Sequence, residues 1–150
     1  MVSIKAVKRV GAGALVLPMG DHLISPILTM IFAPAIMSTM FGPGAIAAVV
    51  FFICLGLFQI LCIGLILKST NPYLMLVGIL GNIASILIYF ISTMGVTIYG
   101  VPPQPLIPFG VLIKALEAIF VVAAAYLITV RQTGREVSRN EQFEEEAVSV

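Results

Sequence analysis

The sequence predicts an all-α membrane protein, an up-down bundle of four transmembrane helices whose first helix is kinked by prolines. Three observations predict it. Hydrophobic residues make up 60% of the 150 and charged residues only 10%, where a soluble domain carries about 25% charged residues. So few charges cannot cover a soluble surface, and a mean hydropathy of +1.14 agrees. The apolar residues also gather into four runs of the length, about 20 residues, that crosses a hydrocarbon core of about 30 Å. Finally, Lys and Arg cluster outside those runs, with Lys114 the one exception.

The first run, Val10–Phe41, contains Asp21, His22 and three prolines spaced eight apart, Pro18, Pro26 and Pro34. A straight helix over it would be about 48 Å long, well beyond the core. The spanning part is therefore expected over 23–41, kinked at its prolines, with 1–22 a cytoplasmic and interfacial segment. The basic start and apolar stretch also have the outline of a signal peptide, but no convincing small-x-small cleavage site follows.

Spans two to four are expected over 44–67, 73–99 and 106–130. "FGPG" and "KSTNP" are short connections, so the helices they join should be antiparallel. Tyrosines flank the third run, where an amphipathic ring suits the headgroup layer. The third connection holds Pro102, Pro103, Pro105 and Pro108 and is expected to be stiff and extended. The charged tail, 131–150, has too little apolar surface to fold alone and is expected to be disordered or loosely helical. No internal repeat is visible.

Basic residues set the orientation. Lys5, Lys8, Arg9, Lys68, Arg131, Arg135 and Arg139 all fall on one side of such a bundle, and none falls in the other two loops. Short loops keep Lys and Arg cytoplasmic, so both termini are expected there, in a multi-pass protein of the plasma membrane. A net charge of +1 argues against nucleic-acid binding.

Polar groups inside a bilayer usually face protein or water, so the few embedded here are the candidate site: Gln59, Asn82, Lys114 and Glu117. From the cytoplasmic ends of their helices, Gln59 lies about 12 Å in and Asn82 about 14 Å, a common level at which the two amides are expected to bond. Glu117 lies about 20 Å in and Lys114 about 24 Å. At i,i+3 these two share a face and can pair. Three readings of the pair stay open: an internal ion pair, a proton or cation relay through Glu117, or a pair satisfied by a partner subunit. Gly78, Gly81 and Ser85 form a small-residue face for close packing.

Asp21 and His22 are expected at the interface. With Met30, Met37 and Met40, which lie on roughly one side of the helix, His22 suggests copper held through soft thioethers, although a single histidine without a nearby cysteine makes a poor closed site. Cys54 and Cys62 stand about 12 Å apart along one helix, too far for a disulfide. The G-x-x-x-x-G-K and HExxH patterns are absent, and no nucleophile–base pair is apparent.

The stretches "FFICLGLFQ" ending at Gln59, "LVGILGN" ending at Asn82, "STMGVTIYG", and the proline-rich approach to Glu117 resemble those of a group of small prokaryotic four-span membrane proteins with no established activity. The resemblance covers about half the chain. It implies the four-span fold and gives weight to Gln59, Asn82 and Glu117.

The expected function is that of a non-catalytic integral membrane subunit, packed against other transmembrane subunits of a larger complex such as a membrane oxidoreductase, or self-associating. The alternative is a small oligomeric transporter or proton-linked channel with Glu117 as its titrating group. A copper-binding redox protein is a third reading. No cofactor is otherwise implied.

Overall fold

A computed structural model describes residues 3–96 and 106–148, apart from the side chains of residues 37, 40, 41, 43 and 134–148. The described residues form α1 (Ile4–Phe32), α2 (Pro34–Phe41), a 3-10 turn (Gly42–Gly44), α3 (Ala45–Lys68), α4 (Pro72–Thr93) and α5 (Pro108–Val148). Four stretches are long and apolar enough to cross a membrane: Ile4–Phe32, Ala45–Lys68, Pro72–Thr93 and Pro108–Thr133. The protein is an all-α four-helix membrane bundle.

The first helix departs from expectation. It starts at Ile4 and carries Pro18 and Pro26 in its interior. Each proline forfeits one backbone hydrogen bond, a loss that neighbouring helices make tolerable in a membrane. The chain breaks instead at Ala33 (φ −142°, ψ 55°), before Pro34, whose ring disfavours helical angles at the preceding residue, although Leu17 and Ser25 stay helical before Pro18 and Pro26. Residues 10–22 thus belong to the bundle, and Gly11, Ala12, Leu15 and Pro18 are buried in it.

The other boundaries follow local chemistry. Asn71 caps α4 by accepting from the Tyr73 N–H at 2.9 Å, and Pro72 occupies its first turn, where a missing N–H costs nothing. Pro108 opens α5 in the same way. The tail, expected to be disordered or loosely helical, continues α5 through Val148. Between Thr133 and Val148 no proline interrupts the backbone ladder, and Arg, Glu and Gln, all good helix formers, are frequent there. The proline-rich connection over 97–105 and the outer end of the third span lie outside the described residues.

Helix order around the bundle is not chain order. α1 packs extensively against both α3 and α5, and α4 packs mainly against α5. α3 and α4, although joined by a three-residue connection, touch each other sparingly. One close approach is made possible by glycine: a Cβ on Gly56 of α3 would stand 2.6 Å from Leu23 Cγ and 3.3 Å from the Leu23 backbone nitrogen. That contact draws α1 onto α3 one residue after His22.

The apolar core comprises Ala12, Leu15, Cys62, Ile66, Met75, Ile79, Phe120, Ala123, Ala124 and Leu127. All of it lies in the half of the bundle nearer the basic residues. That end is tied by cations: Lys8 Nζ donates to the Leu67 carbonyl at 2.8 Å, and an Arg131 Nη1 donates to the Ser69 carbonyl at 3.1 Å. Both satisfy carbonyls at or just past the C-terminus of α3, which the helix itself leaves without partners.

Candidate functional site

The depth of the site follows from the fold. Lys8 is level with Leu67, so the hydrocarbon core begins near Val10, and His22 lies about 18 Å further along α1. Gln59 lies about 14 Å from Lys68 along α3. The bundle therefore carries side chains from α1, α3, α4 and α5 to one level near the middle of the bilayer.

Glu117 is the centre of this layer and is fully buried. Its Oε1 accepts from Lys114 Nζ at 2.9 Å and from Gln59 Nε2 at 3.0 Å. The same oxygen stands 3.1 Å from His22 Nε2, a bond donated by the Nε2–H tautomer or by the imidazolium. Lys114 Nζ also donates to Ser85 Oγ at 2.8 Å and lies 5.9 Å from the centroid of the Tyr89 ring. The His22 ring stacks on Phe52, with centroids 5.6 Å apart. Behind it, Nδ1 is 3.8 Å from Asp21 Oδ2.

The expected Lys114–Glu117 pair is thus formed, and it faces its own bundle. Turned outward, either charge would cost about 2.5–3.5 kcal/mol against lipid on insertion scales. Turned inward, the pair is bonded by residues of three other helices.

Two expectations are corrected. Gln59 and Asn82 do not bond to each other: the Gln59 Nε2 donates to Glu117 instead. Asn82 Nδ2 donates to the Gly78 carbonyl of its own helix at 2.9 Å and to Cys62 Sγ of α3 at 3.7 Å. Nor is His22 interfacial. It is 4% exposed and embedded, because α1 enters the membrane some thirteen residues earlier than expected (Val10 instead of Leu23).

The small-residue face does pack as expected, with Gly81 against the Phe58 ring and Gly78 against Cys62 Sγ and Phe120. Ser85, read only as small, is also a ligand of Lys114. For copper, the imidazole Nε2 is held by Glu117, and Met30 is 48% exposed. The side chains of Met37 and Met40 lie outside the described residues. Among the described residues no group of three His, Cys, Asp or Glu side chains could hold a metal ion. Cys54 and Cys62 are free thiols, the first exposed and the second buried.

The hydrogen bonding of the layer is lopsided. Oε1 of Glu117 is crowded, while three buried acceptors, Glu117 Oε2, Gln59 Oε1 and Asn82 Oδ1, have no donor. Buried acceptors are ordinarily satisfied by protein or by ordered water.

The fold and the layer define a multi-pass helical membrane protein with a buried, carboxylate-centred polar cluster to which all four spans contribute. No family model matches the chain, and neither a curated protein nor a solved structure is detectably similar to it.

Proposed function

We propose that the protein handles protons within the membrane, as a small transporter or proton-linked channel in which Glu117 takes up and releases the charge. The observation that carries this reading is the buried Glu117 carboxylate, crowded by three donors at Oε1 and bare at Oε2. A docking pair would face outward, whereas this pair faces its own bundle.

The chemistry is a transfer across the imidazole. A proton arriving from the Asp21 side forms an N–H bond at His22 Nδ1. The Nε2–H bond then breaks as an O–H bond forms on Glu117 Oε1, and the ring is left as the Nδ1–H tautomer. Both the proton count and the charge are conserved. Lys114 keeps the carboxylate anionic form tolerable between transfers, and Gln59 holds its orientation. The 3.8 Å between Nδ1 and Asp21 is long for a direct hop and suits one bridging water.

By the positive-inside rule, the basic residues at one end support an orientation in the plasma membrane with both termini on the cytoplasmic side. Four spans leave little room for a pathway within one protomer, so the working form is expected to be an oligomer. The resemblance to small prokaryotic four-span proteins, which drew attention to Gln59, Asn82 and Glu117, agrees with a working centre there.

Reconstituted into liposomes with an internal pH-sensitive dye, the protein should dissipate an imposed proton gradient, and Glu117→Gln should abolish the flux. Flux unchanged by that substitution would remove this reading.

One observation favours a second reading, an accessory subunit of a larger membrane complex. An open apolar groove of about 440 Å³ runs between α1 and α5, lined by Val7, Val10, Ala118, Ile119, Val122, Ala123 and Tyr126, a shape that another transmembrane helix fills. Gentle solubilisation followed by mass spectrometry should then recover a reproducible set of larger subunits. A lone monomer at every concentration would eliminate it.

A further inference from the structure

Asp21 is the polar residue that the buried layer does not absorb. It lies about 16 Å beyond Val10, well inside the hydrocarbon core, yet its side chain is 25% exposed. A carboxylate at that depth does not face lipid tails; such groups line water or protein. Nor does Asp21 stand alone. Ser25 Oγ donates to Asp21 Oδ1 at 2.8 Å, and Thr29 Oγ1 donates to the Ser25 carbonyl at 2.7 Å. At i, i+4 and i+8 the three form one row along α1. The row borders the buried face that carries Pro18, His22 and Pro26, and it runs from the layer toward the end of α1 at Phe32. Pro26, lacking an N–H, also leaves the His22 carbonyl without its helical donor.

The opposite direction is closed. From Glu117 toward the basic end the interior is the apolar core, in which Leu15, Ile66, Met75, Phe120 and Leu127 are each at most 2% exposed. Water has a polar row to follow on one side of the layer and none on the other.

We propose that Asp21, Ser25 and Thr29 line a water-filled approach from the end of the bundle opposite the basic residues to His22 and Glu117, so that this structure is the state open to that side. The inference deepens the proton-linked reading and names the side from which Glu117 is loaded. A hydronium ion gives its proton to Asp21, forming an O–H bond and leaving water, and Asp21 gives it in turn to His22 Nδ1.

The test does not depend on flux. Single cysteines replace Ser25, Thr29, Ile24 and Ile31 in a Cys54→Ala background. Sealed vesicles of known orientation are then treated with a membrane-impermeant, charged methanethiosulfonate. Only a hydrated thiol ionises and reacts, so Ser25→Cys and Thr29→Cys should be modified at least about tenfold faster than Ile24→Cys and Ile31→Cys, which face lipid. They should also be modified only from the side opposite the basic residues. Equal rates at all four positions, or modification from the basic side alone, would overturn the proposal. A modified row combined with flux that survives Glu117→Gln would leave the approach standing and remove the transport reading.

Discussion

The two halves of this bundle are built on different principles. In the half that carries the basic residues, small and branched side chains from all four spans interlock without a polar atom beyond a thiol, and Lys8 and Arg131 tie off the C-terminal carbonyls of α3. The Glu117 layer that bounds the other half gathers the buried polar groups, and three of its acceptors have no donor from the protein, while Ala48, Val49 and Ile113 are buried beyond it. A long cation at a helix end can reach water along its own stem, whereas Lys114, 6% exposed, has no exit and must find its partners inside. One half therefore supplies stability. The other holds polar groups that stability alone does not require.

That contrast can be sharpened by substitution, and the largest effect is expected in the polar layer. Lys114→Met should destabilise the folded protein by about 3–5 kcal/mol, since it leaves Glu117 as a buried charge without its strongest partner. Adding Glu117→Leu to it should recover most of that loss, because an apolar pair of similar volume costs nothing to desolvate. Equilibrium unfolding in mixed micelles measures both. A double variant no more stable than the single one would mean that His22 and Gln59, rather than the Lys114–Glu117 pair, dominate the layer.

A smaller effect is expected in the apolar half. Leu127→Ala should cost about 2 kcal/mol, chiefly for the cavity, because in lipid there is no gain from removing apolar surface from water. The same truncation at Ile31, 62% exposed on the far side of α1, should change stability by less than about 0.5 kcal/mol. Comparable losses at both sites would mean that Ile31 is covered by another chain.

Much of the fold could be read before the structure. Spans two and four are displaced from their expected bounds by only a few residues where described, because a run of Leu, Ile and Val has one low-energy arrangement in lipid, a helix with its backbone bonds made internally. The Lys114–Glu117 pair was equally legible, since i,i+3 spacing is a local property. His22 was not. The run Val10–Phe41 is too long for one span, and assigning the span to 23–41 puts His22 at the interface, whereas the helix in fact runs from Ile4 and ends at Phe32. Measuring depth from Arg9 instead of from Leu23 would have put His22 level with Gln59 and Glu117. The chain's single histidine inside an apolar run was the signal that pointed there. The partnership of Gln59 with Glu117 had no such signal, because it depends on side chains of α3 and α5 meeting across the bundle interior, although the two helices do not pack side by side.

By itself, then, the sequence determined the solvent, the spans, the clustering of basic residues and the one ion pair whose members are neighbours along a helix, all of which depend on composition and local spacing. Only the tertiary structure decided which helices adjoin, and so which polar groups converge. A polar side chain in lipid must bond to whatever another helix brings within reach, and that neighbour is chosen by packing, such as the close approach at Gly56, and not by distance along the chain.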